Sequence, residues 1–178
     1  MIQLVSRLGR YSPPACLLLV VAIGPPASAA EIDESTYRNR QLGLEINVPE
    51  GWRLSRHTGY PSLLALLSWG DPDADVWLSV GKLRQPRQLA AFVADNNRGL
   101  EQSALRVTNS RAVTLFDVPS WEVTATTTDG KLELHQTYLA WHQLVLIWTL
   151  RFRAAARKQA LAELHRLFEN IKLSPPGQ

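Results

Sequence analysis

The stretch from Trp121 to Phe152 constrains the fold more than any other part of the chain. Trp121, Val123 and Ala125 alternate with Glu122, Thr124 and Thr126. Asp129-Gly130 follows, a dipeptide suited to the backbone angles of a tight hairpin. Leu132, Leu134 and Gln136 then alternate with Lys131, Glu133, His135 and Thr137, and the strand runs on to about Ala140. Trp141-His142-Gln143 makes a second reversal. Leu144 to Phe152 returns as a strand apolar enough for the middle of a sheet. Parallel strands need long crossover connections, and these are hairpin-length, so the segment is an antiparallel meander. Behind it, Ala154 to Ile171 reads as a helix. Ala160, Leu161, Leu164, Leu167, Phe168 and Ile171 form its apolar face, and Ser174-Pro175-Pro176-Gly177 stops it.

Upstream the same periods recur. Leu42, Leu44, Ile46 and Val48 face one way and Gly43, Glu45 and Asn47 the other, a half-buried strand. Pro49-Glu50-Gly51 turns the chain into Trp52. Ser62 to Trp69 is a continuous apolar run whose period does not separate helix from strand. The hairpin it would form across Asp71-Pro72-Asp73-Ala74-Asp75, back into the strand Val76 to Val80, favours strand. Pro86 can open a helix with Leu89, Phe92, Val93 and Leu100 on one stripe, fraying near Gly99. Leu105 to Phe116 reads as one or two short strands and Asp117-Val118-Pro119-Ser120 as a turn. The expectation is an α+β domain, an antiparallel sheet with helices packed on it. No internal repeat or second domain is evident.

The first 30 residues differ from the rest. Arg7 and Arg10 precede the apolar Leu17-Leu18-Leu19-Val20-Val21-Ala22-Ile23. Pro25-Pro26 breaks that run, and Ala27-Ser28-Ala29-Ala30 supplies small residues. This is the pattern of a cleavable secretory signal, cut after Ala29 or Ala30. The apolar run is shorter than the roughly 20 residues of a membrane span. Residues 31–178 are then a single exported domain, periplasmic or secreted, that does not span the membrane. Glu31 to Ser35 reads as a mobile polar tail. Cys16 precedes the apolar run, so it leaves with the signal rather than carrying a lipid. The mature domain then has no cysteine for a disulfide, a nucleophile or a metal site.

With Arg7 and Arg10 set aside, 17 basic residues face 16 acidic ones. No concentrated basic stripe of a nucleic-acid binder stands out. Arg151, Arg153, Arg157 and Lys158 read as a solvated strand end and helix start.

Tyr37-Arg38-Asn39, Gly43-Leu44-Glu45-Ile46 and Val48-Pro49-Glu50-Gly51-Trp52 at one end, and Phe168-Glu169-Asn170-Ile171 running to Leu173-Ser174 at the other, form a pattern. With the hairpin and long helix between them, the chain resembles the PsbP-like superfamily. That group includes the photosystem II extrinsic protein, a eukaryotic Ran nucleotide-release factor and many bacterial exported proteins. The resemblance implies an α-β-α sandwich and a non-enzymatic binding or assembly module with no cofactor. It carries no catalytic motif. Pro49, Gly51 and Trp52 are its structural signature, with Gly51 free to turn and Trp52 offering an apolar face to bury.

The candidate sites are each matched by a plainer reading. Asp71, Asp73 and Asp75 alternate as in a calcium loop, but Pro72 intervenes and the EF-hand glycine and terminal glutamate are missing, so a solvated hairpin loop fits better. His57, His135, His142 and His165 show no His-x-x-x-His spacing. His135 and His142 flank a hairpin end, where Asp117 or Glu133 could join them in a zinc or copper site; surface histidines are the simpler account. No Gly-x-Ser-x-Gly or phosphate loop appears. Six tryptophans are many for this length. Trp52, Trp121 and Trp148 sit where burial is expected. Trp69, Trp77 and Trp141 lie beside turns or opposite the apolar alternation, and are either core on a second covered face or an exposed interface. The reading is a non-catalytic module that binds a protein partner or envelope complex through Trp69, Trp77 and Trp141. The alternative is a small-ligand or metal-binding domain. Oligomeric state is not legible.

Overall fold

The computed structural model describes residues 30–33, 35–55, 62–71, 73–83 and 88–175. Residues 1–29, where the signal is expected, lie outside them, as do His57 and Pro86.

Strand β10 (Leu144–Arg153) is the spine. Val145 to Leu150 are all buried, because the strand has a packed layer on each face. It pairs antiparallel with β6 (Asp75–Lys82) on one side and β9 (Leu132–Trp141) on the other. With β4 (Arg53–Ser55), β5 (Leu63–Ser68), β7 (Leu105–Leu115) and β8 (Val118–Thr127) these make a seven-stranded sheet, ordered β4-β5-β6-β10-β9-β8-β7. A second sheet of four short strands is ordered β1-β2-β3-β11, from Ala30–Ile32, Thr36–Asn39, Leu44–Asn47 and Ile171–Leu173.

The two faces of the large sheet follow from its alternation. Val76, Leu78, Val80, Leu146, Trp148, Leu150 and Phe152 share one face. Helix α2 (Arg157–Phe168) and the small sheet cover it, adding Leu164, Leu167, Tyr37, Leu44 and Ile46. Val123, Ala125, Tyr138, Val145 and Ile147 lie on the other face, under Leu89, Val93 and Leu100 of helix α1 (Leu89–Gln102). The result is an α+β sandwich of helix, sheet, and a mixed helix-and-sheet layer. The apolar run of residues 62–69 is a strand, paired with β6 across the Asp-rich loop.

Several sequence expectations are corrected. The stretch after Ala30 is not a free tail, since Ala30 to Ile32 pair with Asn39 to Tyr37. The last helix stops at Phe168 instead of Ile171. Asn170 turns the chain there, its amide donating to Leu167 O (3.0 Å) and its side chain to Arg166 O (2.8 Å). Ile171 is then free to enter the small sheet opposite Ile46. Helix α1 runs past Gly99 to Gln102. Leu105 to Leu115 is one long strand with a bulge at Thr108. The turn expected at Asp117–Ser120 is tighter and earlier. Phe116 and Asp117 alone make it, at φ 52 and 57, and Val118 already belongs to β8. A bulky residue rarely adopts such angles; here the Phe116 ring packs edge-on against Phe168 (6.2 Å), which offsets the strain.

Two glycines sit at positive φ for different reasons. Gly51 (φ +82) closes the turn in which the Trp52 amide donates to Pro49 O (3.0 Å), with open space around it. Gly43 (φ +62) presses on the C-terminal segment: a Cβ there would lie 1.9 Å from Ser174 O. The Ser174 amide donates to Gly43 O at 2.8 Å. Gly43→Ala should therefore cost about 2–4 kcal/mol, strain plus a backbone clash, and Gly51→Ala only about 1–2 kcal/mol. Urea midpoints of the two variants check this; equal losses would deny the contact between Gly43 and Ser174 any special role.

Candidate functional site

The residues singled out by sequence fall in separate places. Trp52 is buried at 7 % exposure, and its indole N–H donates to Glu163 Oε2 on α2 (2.9 Å). The Pro-x-Gly-Trp turn thus ties the start of β4 to the helix. Trp69, just beyond β5, stacks on Trp52 with ring centroids 4.8 Å apart and packs on the same core. Trp141 ends β9 and donates its indole N–H to Leu42 O (2.7 Å), joining the large sheet to the small one. The His142 ring lies edge-on to it at 4.8 Å. Since Ser68 pairs with Asp75 and Asp75 with Arg151, while Trp141 pairs with Leu144, Trp69 and Trp141 stand at opposite ends of the sheet. Both are half-buried in the core on the α2 side.

Trp77 is on the other face. Its neighbours across the ladder are Leu66 on β5 and Thr149 on β10. Helix α1 meets β6 at Gly81, under Phe92, and Trp77, four residues away along the strand, is half-buried. The Arg151 guanidinium stands over its ring at 5.5 Å. Arg151 also binds Asp75 (2.6 Å). Burial pushes the Asp75 carboxyl above the ordinary carboxylate range, although the Arg151 charge pulls the other way. Trp69, Trp77 and Trp141 therefore do not form one patch. Of the three, Trp77 alone has no place in either core cluster. Arg151 and Asp75 were missed as its companions, although the alternation Asp75-Trp77-Ser79 puts them on one face.

The other tryptophans divide as well. Trp148 is fully buried. Trp121, expected in the core, is half-buried on the α1 side and bonds Ser110 Oγ (2.9 Å).

The Asp-rich loop is neutralised by arginines. Asp73 binds Arg153 (2.7 Å), Asp75 binds Arg151, and Asp71 Oδ1 accepts the Asp73 amide (2.9 Å). Its carboxylates point to partners in the chain rather than converging on a cation.

His135 and His142 are not brought together. His135 sits in β9 opposite Leu150, and His142 is in the β9–β10 turn at φ 56. Seven residues of extended chain put them about 23 Å apart. Glu133 goes to Arg157 (2.6 Å), and Asp117 lies in the β7–β8 turn. Among the described residues, no group of His, Asp and Glu is placed to hold a metal ion. His135 shares a bond with Thr124 Oγ1 (3.3 Å). Burial holds its imidazole below the ordinary histidine range, the opposing pull of Glu122 notwithstanding.

This architecture is the PsbP-like fold. The chain is similar to cyanobacterial PsbP from Synechocystis, at a TM-score of 0.61 and 10% identity, over 85% of this chain and 95% of that one. It is also similar to LpqN of Mycobacterium tuberculosis, described as involved in cell envelope biogenesis, at a TM-score of 0.55 and 15% identity, over 74% and 83% of the two chains. A Pseudomonas aeruginosa protein of unknown function, described as a putative regulator, matches at 0.50 and 13% over 75% and 92%. No family model and no curated protein matches the sequence. At these identities the likeness defines the fold.

Trp52→Ala should cost about 3–5 kcal/mol, as for a buried large aromatic, whereas Trp77→Ala should change the denaturant midpoint little. A large loss for Trp77→Ala would place it in the core. His135 gives a pH prediction. The unfolded chain takes up its proton near pH 6.5, and the folded one only below that. Stability fully present above that value is lost as pH falls through it. Between about pH 7.5 and pH 5, His135→Gln should lose less unfolding free energy than the parent chain. Equal slopes would contradict the burial of His135.

Proposed function

We propose that this chain is an exported, non-catalytic module that binds a protein partner in the cell envelope. Residues 1–30 are its cleaved signal and 31–178 its single working domain. The observation that carries the reading is the half-buried Trp77 under Arg151, which belongs to neither core cluster. An aromatic ring with an arginine on it, on a rigid strand, is the composition of an interface anchor. The PsbP-like fold supports the reading, as does LpqN, whose description places it in envelope biogenesis. Among the described residues, no helix is long and apolar enough to cross a membrane. Strand β1 begins at Ala30, so a cut after Ala30 would shorten it by one residue and a cut after Ala29 would keep it whole.

Two measurements test this. N-terminal sequencing of the exported chain should begin at Ala30 or Glu31; an unprocessed start would sink the signal assignment. Tagged chain purified from its native envelope should carry a stoichiometric partner that Trp77→Ala loses while remaining folded. Retention by that variant would remove Trp77 from the interface, and recovery of no partner by the parent chain would count against the module reading itself.

A further inference from the structure

Strand β7 closes one end of the large sheet, and among the described residues its outer side pairs with no strand. It runs from Leu105 to Leu115, about 35 Å at the usual rise, and only Leu105 is buried. Thr108 to Ala112 are all exposed. An unpaired row of N–H and C=O groups of this length is a template for another strand. Proteins usually shorten, bulge, charge or cover such edges. Here the bulge at Thr108 interrupts only the first part. Asn109 to Leu115 pair residue for residue with Thr124 to Val118, in a run with neither glycine nor proline on β7.

The edge also has a charge sign. The register sets Arg106, Asn109 and Arg111 opposite Thr126, Thr124 and Glu122, which share one face of β8. Arg111 reaches Glu122 (2.7 Å) yet stays 63% exposed. Arg106 is exposed and, among the described residues, has no carboxylate partner. The strand itself contains no acidic residue.

We propose that β7 is a second recognition surface, which takes an extended acidic peptide segment of a partner as an eighth strand. The main-chain ladder supplies the affinity, and carboxylates at alternate positions of the incoming strand meet Arg106 and Arg111. A second copy of this chain fits less well. Antiparallel pairing of β7 with itself brings four arginines onto a two-strand ladder that holds no carboxylate of its own, and like charges across a ladder are destabilising. This surface is separated from Trp77 by three strands and does not rest on it.

The test uses the purified chain, expressed with its N-terminal segment, and a blocked peptide of alternating Glu and Val, with the Lys and Val peptide as control. Amide shifts and hydrogen exchange are read by NMR. The acidic peptide should shift and protect amides from Asn109 to Leu115, and the basic one should not. The double variant Arg106→Glu, Arg111→Gln should weaken the acidic peptide about tenfold with an unchanged spectrum elsewhere. Trp77→Ala should leave it bound. The proposal is overturned by equal binding of both peptides, by shifts around Trp77 instead of β7, or by an unchanged Kd in the double variant. Protection of β7 that appears without peptide as the chain concentration rises would overturn it in favour of self-pairing.

Discussion

Burial of β10 on both faces is the constraint on which the rest depends. Val145 to Leu150 are six consecutive buried residues, so two different layers must exist to cover them. Trp148 and Leu150 point toward α2 and the small sheet, Val145 and Ile147 toward α1. Thr149 is the polar exception. It accepts from Gln136 Nε2 (3.1 Å), Gln136 accepts from Tyr138 Oη (2.5 Å), and Asn96 of α1 closes the chain of bonds. A buried polar group costs stability unless partnered, and here the partners also fix where α1 sits. Burial pushes the Tyr138 hydroxyl far up, so it serves as a neutral donor at all working pH values.

Much of the fold was legible because the meander has strong local signals. The Asp129-Gly130 turn, with Gly130 at φ +68, and the alternation on either side place β9 and β10 within a residue, while β8 starts three residues earlier than its alternation suggests. What escaped were features decided by tertiary contact. Ile171 belongs to the apolar face of a helix by spacing, but pairing with Ile46 far upstream outweighs one more helical turn. Phe116 carries no turn propensity, and its backbone angles are sustained by the ring's contact with Phe168. Glu31 and Ile32 read as part of a polar tail until β2 provides an edge to pair with.

The site was less legible than the fold. Sequence identified the tryptophans as unusual but grouped Trp69, Trp77 and Trp141 by position relative to turns. Three-dimensional register regroups them: Trp69 with Trp52, Trp141 with Leu42, and Trp77 with Arg151. The alternation already held the key distinction, since Trp77 opposes Val76 and Leu78. The pairing of His135 with His142 failed on strand geometry, because residues at the middle and end of one strand cannot converge.

The small sheet has a topological consequence. β1, β2 and β3 come from the first part of the domain, and β11 from its last few residues, which lock against Gly43. This layer is complete only when β11 is in place beside β3. The roof over the face of β10 that carries Trp148 therefore depends on pairing between strands separated by more than a hundred residues of chain.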